Sequence, residues 1–281
     1  PRLPRMRRVV AAVVVAAVLT GCGDDEPDGP AAEESPGLSV GTAEVTTTVV
    51  AGGPVGVADV GGEAWTVLVG QGTVRTGDGT EIEVGEAPLR LVDTPDGVWV
   101  GVIGDGTVVR IDPRSGEVDR TIDVEPAGSE PEGLVWDGTS LWVVDHANDR
   151  VVQYDRSGAE VRSVDVGEAP RLAAVGESGI WVTNYLSGSV TLIADGQAFT
   201  MGLDGCVGPQ GVAEVDGKVW VACTQSSLVV GLDVAEREVT TTIENVPDAD
   251  AVVATDDTVY VVGQSGPTVH SIDTASGQLR G

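Results

Sequence analysis

Aromatic residues and histidine are scarce in this chain: its 281 residues include one Phe, three Tyr, six Trp and two His. Beyond the N-terminus no apolar pattern recurs at helical spacing, which argues against a helical core; with Val, Thr and Gly abundant, the class predicted is all-β. Only His146 and His270 carry imidazoles, so acid–base catalysis has little to build on. Gly-x-Ser-x-Gly, Gly-x-x-x-x-Gly-Lys and His-Glu-x-x-His motifs are absent. Positive charge is also short, 16 basic against 44 acidic residues for a net −28. A surface of that sign repels phosphate backbones, which excludes nucleic acid as a natural partner. Most of the acidity reads as solvated surface.

What is present begins with an address. In residues 6–22, MRRVVAAVVVAAVLTGC, Arg7 and Arg8 precede an apolar run from Val9 to Val18. That is the length of a signal sequence core and is short of the ~20 residues of a spanning helix. Leu19-Thr20-Gly21-Cys22 resembles the lipobox of bacterial lipoproteins. The resemblance implies that 1–21 is a lipoprotein signal peptide and Cys22 the lipid-bearing residue. The mature protein is then anchored in the lipid bilayer of the cell membrane on its extracytoplasmic face; an ordinary secretory signal with a chance cysteine is the alternative. Residues 22–42 are acidic and rich in Pro, Gly and Ser, the composition of a flexible linker. Removing the signal leaves 12 basic against 44 acidic residues, a balance of −32.

Residues 43–281 repeat. An aromatic residue inside an apolar run recurs at Trp65, Trp99, Trp142, Trp181, Trp220 and Tyr260, at steps of 34, 43, 39, 39 and 40 residues. Pro131 to Val166 shows the unit most fully: four short apolar or alternating runs separated by three turns. A period near 40 with four strands per unit predicts a six-bladed β-propeller. Asp96-Gly97, Asp137-Gly138, Ser178-Gly179, Asp216-Gly217 and Asp256-Asp257 fall at equivalent points and read as hairpin turns. The recurring aromatic is predicted to pack between neighbouring blades. The last repeat stops short of a full fourth strand, and residues 44–50, EVTTTVV, match Glu238 to Glu244, EVTTTIE. The N-terminal strand 44–50 is therefore predicted to complete the last blade and close the ring.

The run WVTNYLSGSVTLI from Trp181, with Gly167-Glu168-Ala169-Pro170 before it, resembles the YVTN β-propeller repeat. The third repeat, PEGLVWDGTSLWVVDHANDRVVQYD, is similar also to NHL repeats and to streptogramin lyase propellers. Streptogramin lyases act through histidines and an acid with Mg²⁺ at the channel mouth. Here the corresponding Pro-flanked loops carry Leu89, Glu132, Arg171 and Gln210 and no histidine, so that catalytic set does not transfer.

Cys206 and Cys223 lie in the fifth repeat, one before its first strand and one at the end of its second. The hairpin between them brings the two to one face, which predicts a disulfide in an oxidising compartment. Two free thiols or a metal pair are the alternatives, and no nearby His or Cys completes a zinc set.

In each repeat the loop leading into strand one and the loop trailing strand two are predicted to reach the same face and to ring one mouth of the channel. The candidates there are Glu132, Asp145, His146, Arg171, Asn184, Tyr185, Gln210, Asp248 and Asp250. His146, in a loop beside Asp145, is the one weak catalytic candidate, while His270 reads as an ordinary strand histidine. The function predicted is a binding, scaffolding or sensing module whose mouth meets a protein, peptide or envelope glycan, with no resident cofactor and no assigned metal. The alternative is a metal-assisted lyase or hydrolase using His146 with Glu132 or Asp145 around Mg²⁺ or Ca²⁺.

Overall fold

A computed structural model describes residues 50–264 and 268–280. The signal, the linker and the closing strand lie outside the described residues, which begin at Val50, the last residue of 44–50. Within them the chain forms six antiparallel sheets, each a meander in sequence order, and five of the six have four strands. This is a six-bladed β-propeller. Among the described residues no helix is long and apolar enough to cross a membrane.

Burial explains which run becomes which strand. The second strands, such as Gly97–Val102, Leu141–Asp145 and Ile180–Asn184, are buried at every residue. Each has a neighbouring blade on both faces, so both sets of alternating side chains are apolar. The fourth strands, such as Glu160–Asp165 and Gln197–Gly202, alternate exposed and half-buried residues because they form the outer rim.

Among the described residues the core forms five clusters, each between consecutive blades. Trp65 packs with Leu91 and Val100 of blade 2, Trp99 with Leu134 and Val143 of blade 3, and Trp181 with Val212 and Val221 of blade 5. The five tryptophan anchors thus lie between blades, as the repeat predicts. Their polar edges are also used: Trp142 Nε1 donates to Asp137 Oδ2 (2.7 Å), and Trp181 Nε1 donates to Glu214 Oε2 of the next blade (2.7 Å). Arg162 lies over the Trp142 ring at 5.0 Å, an outward-facing cation on an otherwise apolar anchor. Asp137 Oδ1 also accepts from the N–H groups of Thr139 and Ser140, so this acidic hairpin caps its own turn.

The first strands line the channel and approach closely. A Cβ at Gly133 would stand 2.5 Å from the Arg171 carbonyl oxygen, and one at Gly211 would stand 2.3 Å from that of Asp250. Glycine is what lets neighbouring inner strands pack at this distance.

In the last blade three named strands are followed by Gln278 to Arg280. Leu279 bridges Ile272, and Arg280 N donates to Ser271 O (2.7 Å). The chain's own C-terminal residues therefore take the first rungs of the fourth position. His270 sits in the third strand, Val269–Asp273, and burial lowers its pKa.

Candidate functional site

One backbone hydrogen bond recurs in all six blades. The residue after the second strand donates its N–H to the carbonyl of the residue before the first: Val69 to Gly53, Ile103 to Ala87, His146 to Glu130, Tyr185 to Ala169, Thr224 to Gly208 and Gln264 to Asp248. The leading and trailing loops of every blade are thereby stitched together on one face, around one mouth of the channel. Behind the mouth is a cavity of ≈ 250 Å³ whose walls include Val57, Leu91, Leu134, Leu172, Val212 and Val252, one from each first strand.

The end of the second strand is a buried polar or disulfide-bonded residue in three successive blades, and in blades 3 and 5 it ties down the leading loop. In blade 3 Asp145 is wholly buried and accepts from Ser129 Oγ (2.9 Å), the Glu130 N–H (3.1 Å), Asn148 Nδ2 (2.9 Å) and Arg150 Nε (2.9 Å). Asn184 holds that place in blade 4, wholly buried, donating to Ser189 Oγ and Thr191 Oγ1. Cys223 holds it in blade 5 and is disulfide-bonded to Cys206 in the leading loop. The predicted disulfide is present. Asp145 and Asn184 are thus wholly buried, with their side chains engaged by the protein's own loops and strands.

Glu132, Arg171, His146, Tyr185, Gln210 and Asp250 come together above the channel. Glu132, only 4% exposed, accepts from Arg171 Nη1 across the boundary of blades 3 and 4 (3.0 Å). His146 Nδ1 lies 3.3 Å from Glu132 Oε2 and 3.0 Å from the Pro170 carbonyl. Both neighbours are acceptors, so Nδ1 carries the proton and Nε2 is the ring's other face. The carboxylate that orients this imidazole is Glu132, not the adjacent Asp145. The Arg171 guanidinium lies over the Tyr185 ring at 4.5 Å, and Gln225 Nε2 donates to Tyr185 Oη (2.8 Å). Asp248 precedes the first strand of blade 6 in a left-handed conformation, φ 51°.

Arg90 belongs with this group although the sequence singled out its neighbours. Its Nη1 donates to the carbonyls of Val55 (2.9 Å) and Leu89 (3.1 Å) at the blade 1–2 boundary. Burial pushes the Arg90 pKa down while Asp250 and Glu132 push it back up. Burial raises the Glu132 carboxyl against the opposing pull of Arg171, His146 and Arg90. It raises Asp250 likewise, against Arg90, a hydrogen bond from Gln210, and Arg171. Two atoms of the cluster are buried without a hydrogen-bond partner among the described residues: Arg171 Nε and Asp250 Oδ1.

The donor set does not suit a divalent ion. Among the described residues no group of three or more His, Cys, Asp or Glu side chains is placed to hold one. The arrangement can bind polar groups of either sign and can present an imidazole oriented by a carboxylate.

No family model matches the chain, and no curated protein matches it. Solved structures do. Virginiamycin B lyase from Staphylococcus aureus superposes with a TM-score of 0.72 at 16% identity, covering 82% of this chain and 83% of that one. A streptogramin B lyase gives 0.71 at 16% identity over 82% of each. A 6-phosphogluconolactonase-like protein of Bacteroides uniformis gives 0.67 at 12% identity over 83% of this chain and 85% of that. At such identities the likeness is one of fold.

Proposed function

We propose that this chain is an exported, lipid-anchored propeller that holds the mouth of its channel outside the cytoplasmic membrane as a recognition site for a polar ligand or partner. Leu19-Thr20-Gly21-Cys22, the acidic linker and a disulfide of the kind that persists outside the cytoplasm support the address. The observation that carries the binding role is the Glu132–Arg171–His146 cluster. Charged groups are drawn out of water at a concave opening, and the cluster leaves Arg171 Nε and Asp250 Oδ1 unsatisfied.

The test has two arms. Cys22→Ala should release the protein from the membrane fraction. In detergent-extracted full-length protein, Arg171→Glu should remove the partners or ligands that the wild type retains. An unchanged set of bound species in the folded Arg171→Glu variant sinks the binding role.

A second reading has its own observation: the Pro170 carbonyl accepts from His146 Nδ1–H with Glu132 3.3 Å from the same nitrogen, an arrangement that leaves Nε2 to act as a general base. A lyase or hydrolase working this way would use His146 Nε2 as base and Arg171 or Arg90 to steady developing negative charge. The divalent ion of the streptogramin lyases finds no matching ligand set here. Should turnover be found, it must vanish in His146→Ala; turnover that persists there excludes this reading.

A further inference from the structure

Arg90 uses only one of its three guanidinium nitrogens. Nη1 donates to the carbonyls of Val55 (2.9 Å) and Leu89 (3.1 Å), at the mouth end of the first strands of blades 1 and 2. Nε and Nη2 have no hydrogen-bond partner among the described residues. Neither is among the polar atoms sealed from solvent without a partner, so both keep accessible surface. Among the described residues Arg90 also forms no ion pair: Glu132 is engaged by Arg171 and His146, and Asp250 acts on Arg90 only from longer range. Arg110 shows what the same edge can do, since its Nε and Nη2 both donate to the Asp119 carboxylate, each at 2.8 Å. In Arg90 that edge, a fork matched to two carboxylate oxygens, is open.

Arg90 borders the cavity of ≈ 250 Å³ behind the mouth, and every other residue bordering it is Gly, Ala, Val or Leu. The place that Arg90 fills in blade 2 is filled by Gly56, Gly133, Leu172, Gly211 and Ala251 in the other five blades. One charge therefore stands in a ring of six otherwise apolar places. A cation against aliphatic walls is screened less than one at open surface, so an anion that reaches it is held more firmly. The volume is just under the ~300 Å³ at which pockets for drug-sized ligands begin, which limits the occupant to a small molecule.

We infer that the channel binds a small aliphatic carboxylate, its two oxygens accepting from Arg90 Nε and Nη2 and its hydrocarbon tail lying against the aliphatic walls behind the mouth. This rests on the reading of the mouth as a recognition site and names what that site admits. Inorganic phosphate could fill the fork but would leave the aliphatic walls without a partner. An alkyl amine would suit the walls and bring a second cation to Arg90.

Acetate, butyrate, isocaproate, isocaproamide and inorganic phosphate are titrated by calorimetry into the detergent-extracted full-length protein. Isocaproate should bind, and its amide should bind about tenfold more weakly or less, the loss expected of a charge-assisted hydrogen bond. From acetate to isocaproate each added carbon should tighten binding about threefold to fourfold, the ratio for burying one methylene. Arg90→Met should bind acid and amide alike, with a thermal melt to verify that it is folded. Acid and amide binding the wild type within twofold of each other would overturn the inference, and so would no binding of any acid. Phosphate binding as tightly as isocaproate would overturn the aliphatic class. These comparisons on the wild type hold even if Arg90→Met fails to fold. The reading of the mouth fails separately, if Arg171→Glu leaves the species retained by the full-length protein unchanged.

Discussion

Cys223 stands where Asp145 stands two blades earlier, each the last residue of its second strand and each tying down the loop that leads into its first. One does so by a covalent bond to Cys206 and the other by hydrogen bonds from Ser129 Oγ and the Glu130 N–H, its carboxylate held from the trailing side by Asn148 and an ion pair with Arg150. The same mechanical task is met by different chemistry, and the two tethers fail in different ways.

Asp145→Ala removes the acceptor for Arg150 Nε and for the Ser129 and Asn148 side chains in a wholly buried place. Stripping one partner from a buried charged pair costs about 3–5 kcal/mol. At about 2–4 °C per kcal/mol for a domain of this size, the melting temperature should drop by roughly 10 °C. Calorimetric melting of the variant checks this, and a shift of only a degree or two would show that Asp145 is replaceable by solvent.

Reducing the disulfide releases a loop with a sequence separation of 17. Loop-closure entropy assigns a bridge of that span about 3 kcal/mol. Cys206→Ser with Cys223→Ser should therefore lower urea stability by about that amount without changing the fold seen by circular dichroism. The wild type under reductant should behave like the double variant, and the double variant should be indifferent to reductant.

Trp220 is wholly buried at the contact of blades 5 and 6, in a cluster with Val246, Val259 and Ile272. Trp220→Ala should cost about 3–5 kcal/mol, the range for deleting a large core aromatic. Leu186→Ser, at an exposed rim position, should change stability by less than about 0.5 kcal/mol. Parallel urea titrations of the two variants test whether the blade contacts carry the stability.

The pH response of the mouth follows from its burial. Glu132 has a folded pKa raised above its ordinary value, first by desolvation. The folded state therefore holds that proton more tightly than the unfolded chain does. Its contribution to stability is complete below the ordinary glutamate range and is lost as pH rises through the raised folded value. Wild type should lose stability relative to Glu132→Gln between acidic and neutral pH. Paired unfolding curves across that interval check the sign; a gap that moved the other way would mean that Arg171 and His146 outweigh burial.

The repeat was legible because its markers are local. Trp142, Asp137-Gly138 and Pro131 sit at fixed offsets, and a period near 40 needs no tertiary information to be seen. The facing of individual loop residues was less legible. The ladder between the first two strands of blade 3 shifts register between Val144 and Asp145, and this irregularity accompanies the carboxylate's place under the leading loop. Alternation counted along the sequence does not reveal it. Arg90 is hidden in the sequence for a related reason. It occupies the second place after the strand-opening proline, where Gly56, Gly133 and Gly211 stand in other blades, so that place read as backbone alone. A shift between Pro88 and Arg90 marks the same irregularity in blade 2.

The six N–H to carbonyl stitches around the mouth use no side chain at all. The loops are held by the one part of each residue that substitution cannot remove, save by proline. Apart from the side-chain tethers of Asp145 and Cys223, exposed rim positions can be exchanged without loosening these stitches. The position of the loops is thereby uncoupled from the chemistry of the side chains they carry.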